Sequence, residues 1–514
     1  MDFLHKLLNY FHIEEGEFAA FGKTPSFSDL PDISASPCVK KAIDRLNKAK
    51  ERNERILIYG DYDCDGVMSA SIIKKAFREY GLSAEAYLPS RYLDGYGLNV
   101  ENVMRIAASY SLIFTVDNGV AAKDAIQKAN EKNIDVIVLD HHEYVNEPEG
   151  IVALIHPRTL ALEHPSISAG FLSYLFSVAL LKRQDPYFEM LGALSLLSDA
   201  MEMASYNRLA VGLALSLWKK EGNIAFSRLQ KGEGKDEQSL QMQIIPTINS
   251  IGRLNTGSKI NRLIKYFTEP ESEEAALISS WMLALNQERK DLISLSSSAL
   301  SFDPSKPAIF YESSLPEGIN GLLANRIMEQ ANRPVAVFSP SDRLEGVYVG
   351  SMRSKEGCPL GEFFQDISSL LVAGGGHAYA AGFSVRKEDL AAFEERFLSY
   401  AASRPFSETK EEAIPVSLGD INADNYRLLR LFGPFGMGNC APLFSVEVDA
   451  STLRFSPDQS RLSTYLGQGV RLFSFRYGKK DFPEKGIVTL HFRLNENVYR
   501  GKSTISADVT DVIF

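Results

Sequence analysis

Cysteine is scarce in this chain. Four occur in 514 residues, Cys38, Cys64, Cys358 and Cys440, and no two form a CxxC pair. That spacing excludes both a zinc knuckle and a disulfide framework. Long apolar runs are missing as well. Nothing approaches the ~18 uninterrupted apolar residues of a membrane span, so no membrane partner is expected. The opening MDFLHKLLNYFHIEEGEF lacks the basic start and apolar centre of a signal peptide, and reads as a short amphipathic helix of a cytoplasmic protein. Positive charge is in deficit, with a net charge of −10 and a pI near 5.5. This argues against nucleic-acid binding over the whole surface but not against a local basic channel. No internal repeat or low-complexity tract stands out.

What remains is an ordinary globular composition, 45% hydrophobic and 23% charged. The length is too great for one core, and roughly 150 residues per domain gives three or four domains. Residues 1–45 read as an appendage punctuated by Pro25, Pro31 and Pro37. Within 46–215, strands and helices alternate: ILIY, SASIIKKAFREYG, EAYLP, NVENVMRIAAS, SLIFTVDNG, AAKDAIQKANEKN and DVIVLDHH. That alternation predicts an α/β domain, a parallel sheet flanked by helices on both faces. Residues 216–300 are mainly helical and end in a connector helix over Glu271–Leu300. A second α/β unit spans 301–403, a polar linker covers 404–413, and 414–514 is rich in strands and turns, as in a small barrel.

The chemistry gathers where predicted strands end. Ile56–Gly66, ILIYGDYDCDG, runs from apolar β-formers into Asp61, Asp63 and Asp65, closed by Gly66. Three carboxylates so close repel one another unless a cation lies between them. A calcium loop of the EF-hand type would need Glu at its twelfth position, where this chain has Ile72. Cys64 reads as a small filler between harder ligands. Further on, TVDNG places Asp117, VLDHH places Asp140, His141 and His142, and LLSDAMEM offers Asp199. Singly, each Asp has a helix-capping reading. Together they converge on the carboxyl edge of one sheet, where α/β proteins bind ligands. Asp and His ligands without Cys point to Mn²⁺ or Mg²⁺, and this many carboxylates point to two ions.

Asp61–Gly66, Asp117-Asn118-Gly119, Asp140-His141-His142 and Asp199 resemble the four ordered motifs of the DHH phosphoesterase superfamily. RYLDGYGL at 91–98, NSIGRL at 249–254 and GSMRS at 350–354 resemble elements of the RecJ single-stranded-DNA exonucleases. Gly374-Gly375-Gly376-His377 is similar to the signature of the DHHA1 domain, and FGPFGMGNCAPL at 432–443 to the start of the family's C-terminal OB-like barrel.

The resemblance implies a DHH catalytic domain, a connector helix, a DHHA1 domain and an OB-like nucleic-acid-binding domain. It also implies roles. Asp61, Asp63, Asp65, Asp117, His141 and Asp199 would be metal ligands, with Asp117 the bridge. His142 would act at the scissile phosphate, with Asp140 fixing an imidazole tautomer. His377, after its glycines Gly375 and Gly376, would reach the phosphate from the second domain. Arg91, Arg253, Ser351 and Arg353 would gather the 5′-terminal phosphate, a task that suits the planar arginine fork; Tyr96 and Asn255 would be neighbours of the site. In the tail, Arg471, Phe473, Phe475, Arg476 and Tyr477, then Phe492, Arg493, Tyr499, Arg500 and Lys502, interleave cations with rings as a single-strand binder needs, although such alternation also builds a strand core.

Two departures stand out. Tyr59 occupies the place where some superfamily members carry a His ligand, which shifts weight onto Asp61. SSLPEGING replaces a His-Pro-Gly segment. The implied function is a metal-dependent 5′→3′ exonuclease that hydrolyses single-stranded DNA to 5′-mononucleotides in repair and recombination. Its implied partners are DNA with a 5′ end, a single-strand-binding protein and a helicase, and its implied state is a monomer. The alternatives are a related phosphodiesterase acting on oligoribonucleotides or cyclic dinucleotides, and a non-catalytic scaffold.

Overall fold

The computed structural model of the chain describes residues 2–106, 109–254, 257–298, 300, 302–303, 305–404, 411–465 and 470–513. Five short strands build its first sheet, the central ones rich in β-branched residues: β1 (Arg55–Tyr59), β2 (Ser83–Tyr87), β3 (Leu112–Val116), β4 (Asp135–Leu139) and β5 (Ala153–Ile155). The order is β2-β1-β3-β4-β5 and every pair is parallel. Side chains alternate across the pleat. Ile56 and Ile58 join one core with Met68, Ile72 and Phe176, while Leu57 and Tyr59 join another with Val103 and Ile126. Covering on both faces explains why the central strands read as continuous apolar runs.

Register decides what lies at the carboxyl edge. Tyr59 pairs with Thr115 and Val116 with Leu139. The loops that follow β1, β3 and β4 therefore leave the sheet side by side. Strand β5 escapes the sequence pattern because it is only three residues long.

The helices Ala169–Leu181, Pro186–Ser198 and Ser205–Glu221 pack on the first sheet's core. The long helix, expected over Glu271–Leu300, runs from Glu273 to Ser298. It leads to a second sheet of β6 (Ile309–Glu312), β7 (Val335–Pro340), β8 (Val347–Arg353), β9 (Leu371–Gly376) and β10 (Ala380–Arg386), in the order β6-β7-β8-β10-β9. The stretch VAGGGHAYAAGFSV becomes an antiparallel hairpin, and its first strand is the sheet edge.

The third sheet is mixed, ordered β11-β12-β15-β16-β14-β13, from β11 (Ile414–Pro415), β12 (Phe444–Asp449), β13 (Leu462–Tyr465), β14 (Arg471–Ser474), β15 (Ile487–Tyr499) and β16 (Lys502–Ile513). The helix Phe3–Phe11 belongs to this unit. Asp2 caps it by accepting from the His5 amide at 2.9 Å, and Phe3, Leu7 and Leu8 are buried in the C-terminal core. Phe11 stacks on Phe432 with ring centroids 4.8 Å apart. What reads as an N-terminal appendage thus packs its apolar face into the last unit of the chain. A second anchor joins that unit to the helical region: Arg430 donates two bonds to the buried Glu237 carboxylate, at 2.6 and 2.7 Å.

Candidate active site

The loop after β1 turns directly into the helix Cys64–Tyr80. Asp63 caps that helix by accepting from the Gly66 amide at 3.0 Å. A Cβ at Gly66 would lie 2.6 Å from the Asp61 backbone nitrogen and oxygen, so only glycine lets the helix start fold onto Asp61. Asp65, inside the first helical turn, points at another helix start. The amides of Ala169 and Gly170 donate to its two oxygens at 2.9 and 2.6 Å. Asp117 follows β3 with φ +61°, a left-handed conformation uncommon for a residue with a side chain.

These carboxylates meet His141. Its Nε2 lies 3.6 Å from Asp65, 3.4 Å from Asp117 and 3.3 Å from Asp199, yet makes no hydrogen bond. Three sets of ligand atoms lie within 4.8 Å of one another: Asp117 with His141 and His142, Asp65 with His141 and Asp199, and Asp61 with Asp63 and Asp117. Burial and mutual repulsion push the carboxyls of Asp65 and Asp117 up, and those of Asp61 and Asp199 up to about 8. A buried Asp61 oxygen has no partner. An orphaned imidazole nitrogen and an orphaned carboxylate oxygen among crowded acids are what a hard divalent cation relieves. The residues therefore fit a metal.

Asp140 is occupied differently. One oxygen accepts from the Val120 amide at 3.0 Å; the other accepts from the amides of His141 and His142 and from His142 Nδ1, the last at 2.8 Å. Although burial opposes the charge, these bonds hold the Asp140 carboxyl below the usual range. Burial also disfavours the His142 imidazolium, but Asp140 outweighs it and raises the ring to about 9. Tyr96, whose ring is exposed, places its hydroxyl 3.3 Å from His142 Nε2.

The arginines converge beside this group. Arg91 lies over the Tyr62 ring, 4.6 Å from its centroid, with its Nε buried and unpartnered. Burial and the neighbouring Arg91 and Arg289 bring Arg253 down to about 10, so it remains charged at neutral pH. Ser351 and Arg353, on β8, face the start of the helix Asn320–Ala331: a Cβ at Gly321 would lie 2.8 Å from the Arg353 guanidinium and 3.3 Å from the Ser351 hydroxyl.

His377 belongs to the second unit, directly after β9. Its side chain is exposed, and among the described residues no hydrogen bond or ion pair joins it to the acids. Its glycines serve different ends. A Cβ at Gly376 would lie 2.4 Å from the Ala380 carbonyl of its own hairpin, whereas Gly375 faces open space. Asn255 lies outside the described residues.

Family comparisons agree with this layout. Residues 55–193 match the N-terminal domain of the DHH family, 306–403 the DHHA1 domain and 413–511 the RecJ OB domain. The chain belongs to the RecJ-type DHH/DHHA1 phosphoesterases. It is similar to the single-stranded-DNA-specific exonuclease RecJ of Escherichia coli, 27% identical over 92% of this chain and 90% of that protein. It is 28% identical to the Bacillus subtilis protein of the same name over 82% of this chain, but spans only 55% of that protein's length. The crystal structure of Thermus thermophilus RecJ in complex with Mn²⁺ superposes with a TM-score of 0.82, covering 99% of this chain and 75% of that one, and at 24% identity speaks for the fold alone.

In this RecJ-type chain the C-terminal rings divide between core and surface. Phe492 is fully buried, whereas Phe475 is 73% exposed, with Arg461 5.6 Å from its centroid and Phe473 edge-on at 5.4 Å. Arg493 is committed to Glu411 at 2.5 Å.

Several residues that shape the RecJ-type site were given no role by the sequence, Asn118 and Asn249 inside quoted motifs and His156 outside them. Asn118 donates to the Tyr59, Gly60 and Val116 carbonyls at 3.3, 3.1 and 2.9 Å, tying the ends of β1 and β3 together. Asn249 accepts from the Cys64 amide at 2.8 Å. His156 is buried at the end of β5. Its Nδ1 accepts from the Arg158 amide at 3.1 Å, so Nε2 carries the proton and donates to the His142 carbonyl at 3.1 Å. Pro157 follows His156 at the first position of a short helix, Pro157–Leu160.

Proposed function

We propose that this protein is a metal-dependent 5′→3′ exonuclease that degrades single-stranded DNA to 5′-mononucleotides in repair and recombination. The observation that carries the reading is His141 Nε2, unbonded and facing three carboxylates at 3.3–3.6 Å. Asp61, Asp63, Asp65, Asp117, His141 and Asp199 would hold two Mn²⁺ or Mg²⁺ ions. Such ions, when bound, lower the pKa of water and neutralise phosphate charge.

The chain's own groups do the rest. His142, drawn up to about 9 by Asp140, carries a proton at Nε2 for the leaving oxygen while Nδ1 stays bonded to Asp140. Arg91, Arg253, Ser351 and Arg353 bind the terminal 5′-phosphate, which sets the polarity of degradation. Gly375, with open space at its α-carbon, lets backbone approach the substrate, and Gly376 holds the hairpin that carries His377. His377 reaches the phosphate by movement of that edge hairpin. Exposed Phe475 and the arginines around it stack and steer the strand. Residues 46–215 form the catalytic unit, 301–403 the opposing wall and 414–514 the strand-binding unit. A cytoplasmic monomer, working with a single-strand-binding protein and a helicase, completes the reading.

The test is Mn²⁺-dependent cleavage of single-stranded DNA labelled at either end, beside duplex DNA and RNA. Early mononucleotide release from the 5′ label alone is expected, and Asp63→Ala or Asp117→Ala should abolish it with the fold retained. Attack from the 3′ end, or normal cleavage by either variant, refutes the proposal.

A further inference from the structure

One junction between the two α/β units runs through the proposed phosphate pocket. The Tyr92 hydroxyl donates to the Arg253 carbonyl at 2.6 Å and accepts from the Gly318 amide at 3.3 Å. Tyr92 follows Arg91 in the first unit, Arg253 ends the helix Ile245–Arg253, and Gly318 belongs to the second unit. Three separate pieces of chain meet at one buried oxygen.

The contact at Gly318 is close. A Cβ there would lie 2.3 Å from the Arg253 carbonyl oxygen and 2.8 Å from its Cα. Backbone meets backbone, so no side chain can rotate to make room. Three residues on, Gly321 abuts the Arg353 guanidinium and the Ser351 hydroxyl. A single helical turn therefore touches Arg253 at one end and Arg353 and Ser351 at the other. The neighbouring Glu317 buries an unpartnered carboxylate oxygen, and its charge acts on Arg91.

We infer that Tyr92 is a positioning residue: its hydroxyl clasps the second unit to the Arg253 backbone and so sets the pocket's two halves in register for a terminal phosphate. The inference rests on the reading of Arg91, Arg253, Ser351 and Arg353 as the 5′-phosphate pocket. Docking of the second unit and completion of the pocket are then one event. Neither half presents all its donors to a phosphate until Gly318 seats on Arg253.

Tyr92→Phe removes the hydroxyl and little else. Steady-state kinetics on single-stranded oligonucleotides bearing a 5′-phosphate or a 5′-hydroxyl will test the clasp. For the phosphorylated oligonucleotide, KM should rise about tenfold with kcat within about twofold, as expected for loss of a buried oxygen with two partners. KM for the 5′-hydroxyl oligonucleotide should move far less, so the preference between ends shrinks. The Gly318 amide should exchange faster with deuterium in this variant. Gly318→Ala should lose the end preference more completely. Arg253→Ala separates the layers of the argument. If it keeps the wild-type end preference, the pocket reading fails and the clasp with it. If it loses the preference while Tyr92→Phe keeps it, the clasp alone is overturned. A fall in kcat shared by both oligonucleotides, with their KM ratio intact, also overturns the clasp, because it marks a merely structural role.

Discussion

His156 offers a way to weaken the metal site without touching a ligand. Its imidazole is 2% exposed and burial lowers its pKa, so at neutral pH the ring is neutral, with its one proton on Nε2. That proton holds the His142 carbonyl, which fixes the backbone between His141 and Glu143. Tyr144 leans edge-on against the same ring at 4.8 Å, and Arg158 lies over Tyr144. His156→Ala removes one hydrogen bond, a net loss of about 1 kcal/mol, or roughly fivefold in whatever equilibrium it supports. It also leaves a void beneath Tyr144, so the loop carrying both histidines gains freedom. Groups that orient metal ligands typically contribute about 10–100-fold to metal affinity or activity. We expect apparent Mn²⁺ affinity to fall about tenfold in His156→Ala, read from the Mn²⁺ dependence of DNA cleavage and from calorimetric titration. His156→Gln keeps a donor near the Nε2 position and should recover most of the loss. His156→Asn keeps only a short acceptor for the Arg158 amide and should recover little. Unchanged Mn²⁺ half-saturation in His156→Ala, or equal behaviour of the Gln and Asn variants, would refute the reasoning.

Two further predictions concern buried charge. Glu189 is fully buried with neither carboxylate oxygen bonded, and burial drives its pKa well above the usual range. The folded protein then keeps a proton that the unfolded chain releases, so this residue costs stability increasingly as pH rises above about 4.3, by up to about 1.4 kcal/mol per pH unit until the folded pKa is passed. Glu189→Gln should therefore raise the urea midpoint at pH 8 more than at pH 5; an equal gain at both refutes the argument. At the second anchor the sign is reversed. Burial would raise the Glu237 pKa, but Arg430 lowers it, so its contribution is present above about pH 4.3 and is lost as pH falls. Arg430→Met strands that carboxylate, at about 3–5 kcal/mol near neutral pH. The variant should lose stability as pH rises, and adding Glu237→Gln should restore most of it; urea unfolding of both variants across pH checks this.

Legibility followed sequence distance. The parallel sheet and its acidic edge were readable because strand, loop and ligand are contiguous, as in Ile56–Asp65 and Asp135–His142. Parallel pairing then placed those loops together without further information. Of the residues read from the motifs, the acids Asp61, Asp63, Asp65, Asp117 and Asp199 come together with His141 and His142, whereas Gly375, Gly376 and His377 lie on an edge hairpin and Asn255 lies outside the described residues. Residues that brace the site were not readable. The role of His156 depends on β5 lying beside β4, and a three-residue strand leaves too short a pattern. Tyr92 looked like part of an arginine motif, and only the seating of Gly318 gives its hydroxyl two partners. The helix Phe3–Phe11 showed an apolar face, but periodicity reveals that a face is buried, not what buries it.

That helix bears on how the strand-binding unit would respond to a cut. The unit is joined to the rest of the chain by the segment between residues 404 and 411, and a protease cleaving there would sever the covalent link. Phe3, Leu7 and Leu8 would still sit in its core, and Arg430 would still grip Glu237. A nicked molecule would therefore run as two fragments in denaturant and as one particle without it. Each grip raises the effective concentration for the other, so release requires both to let go at once.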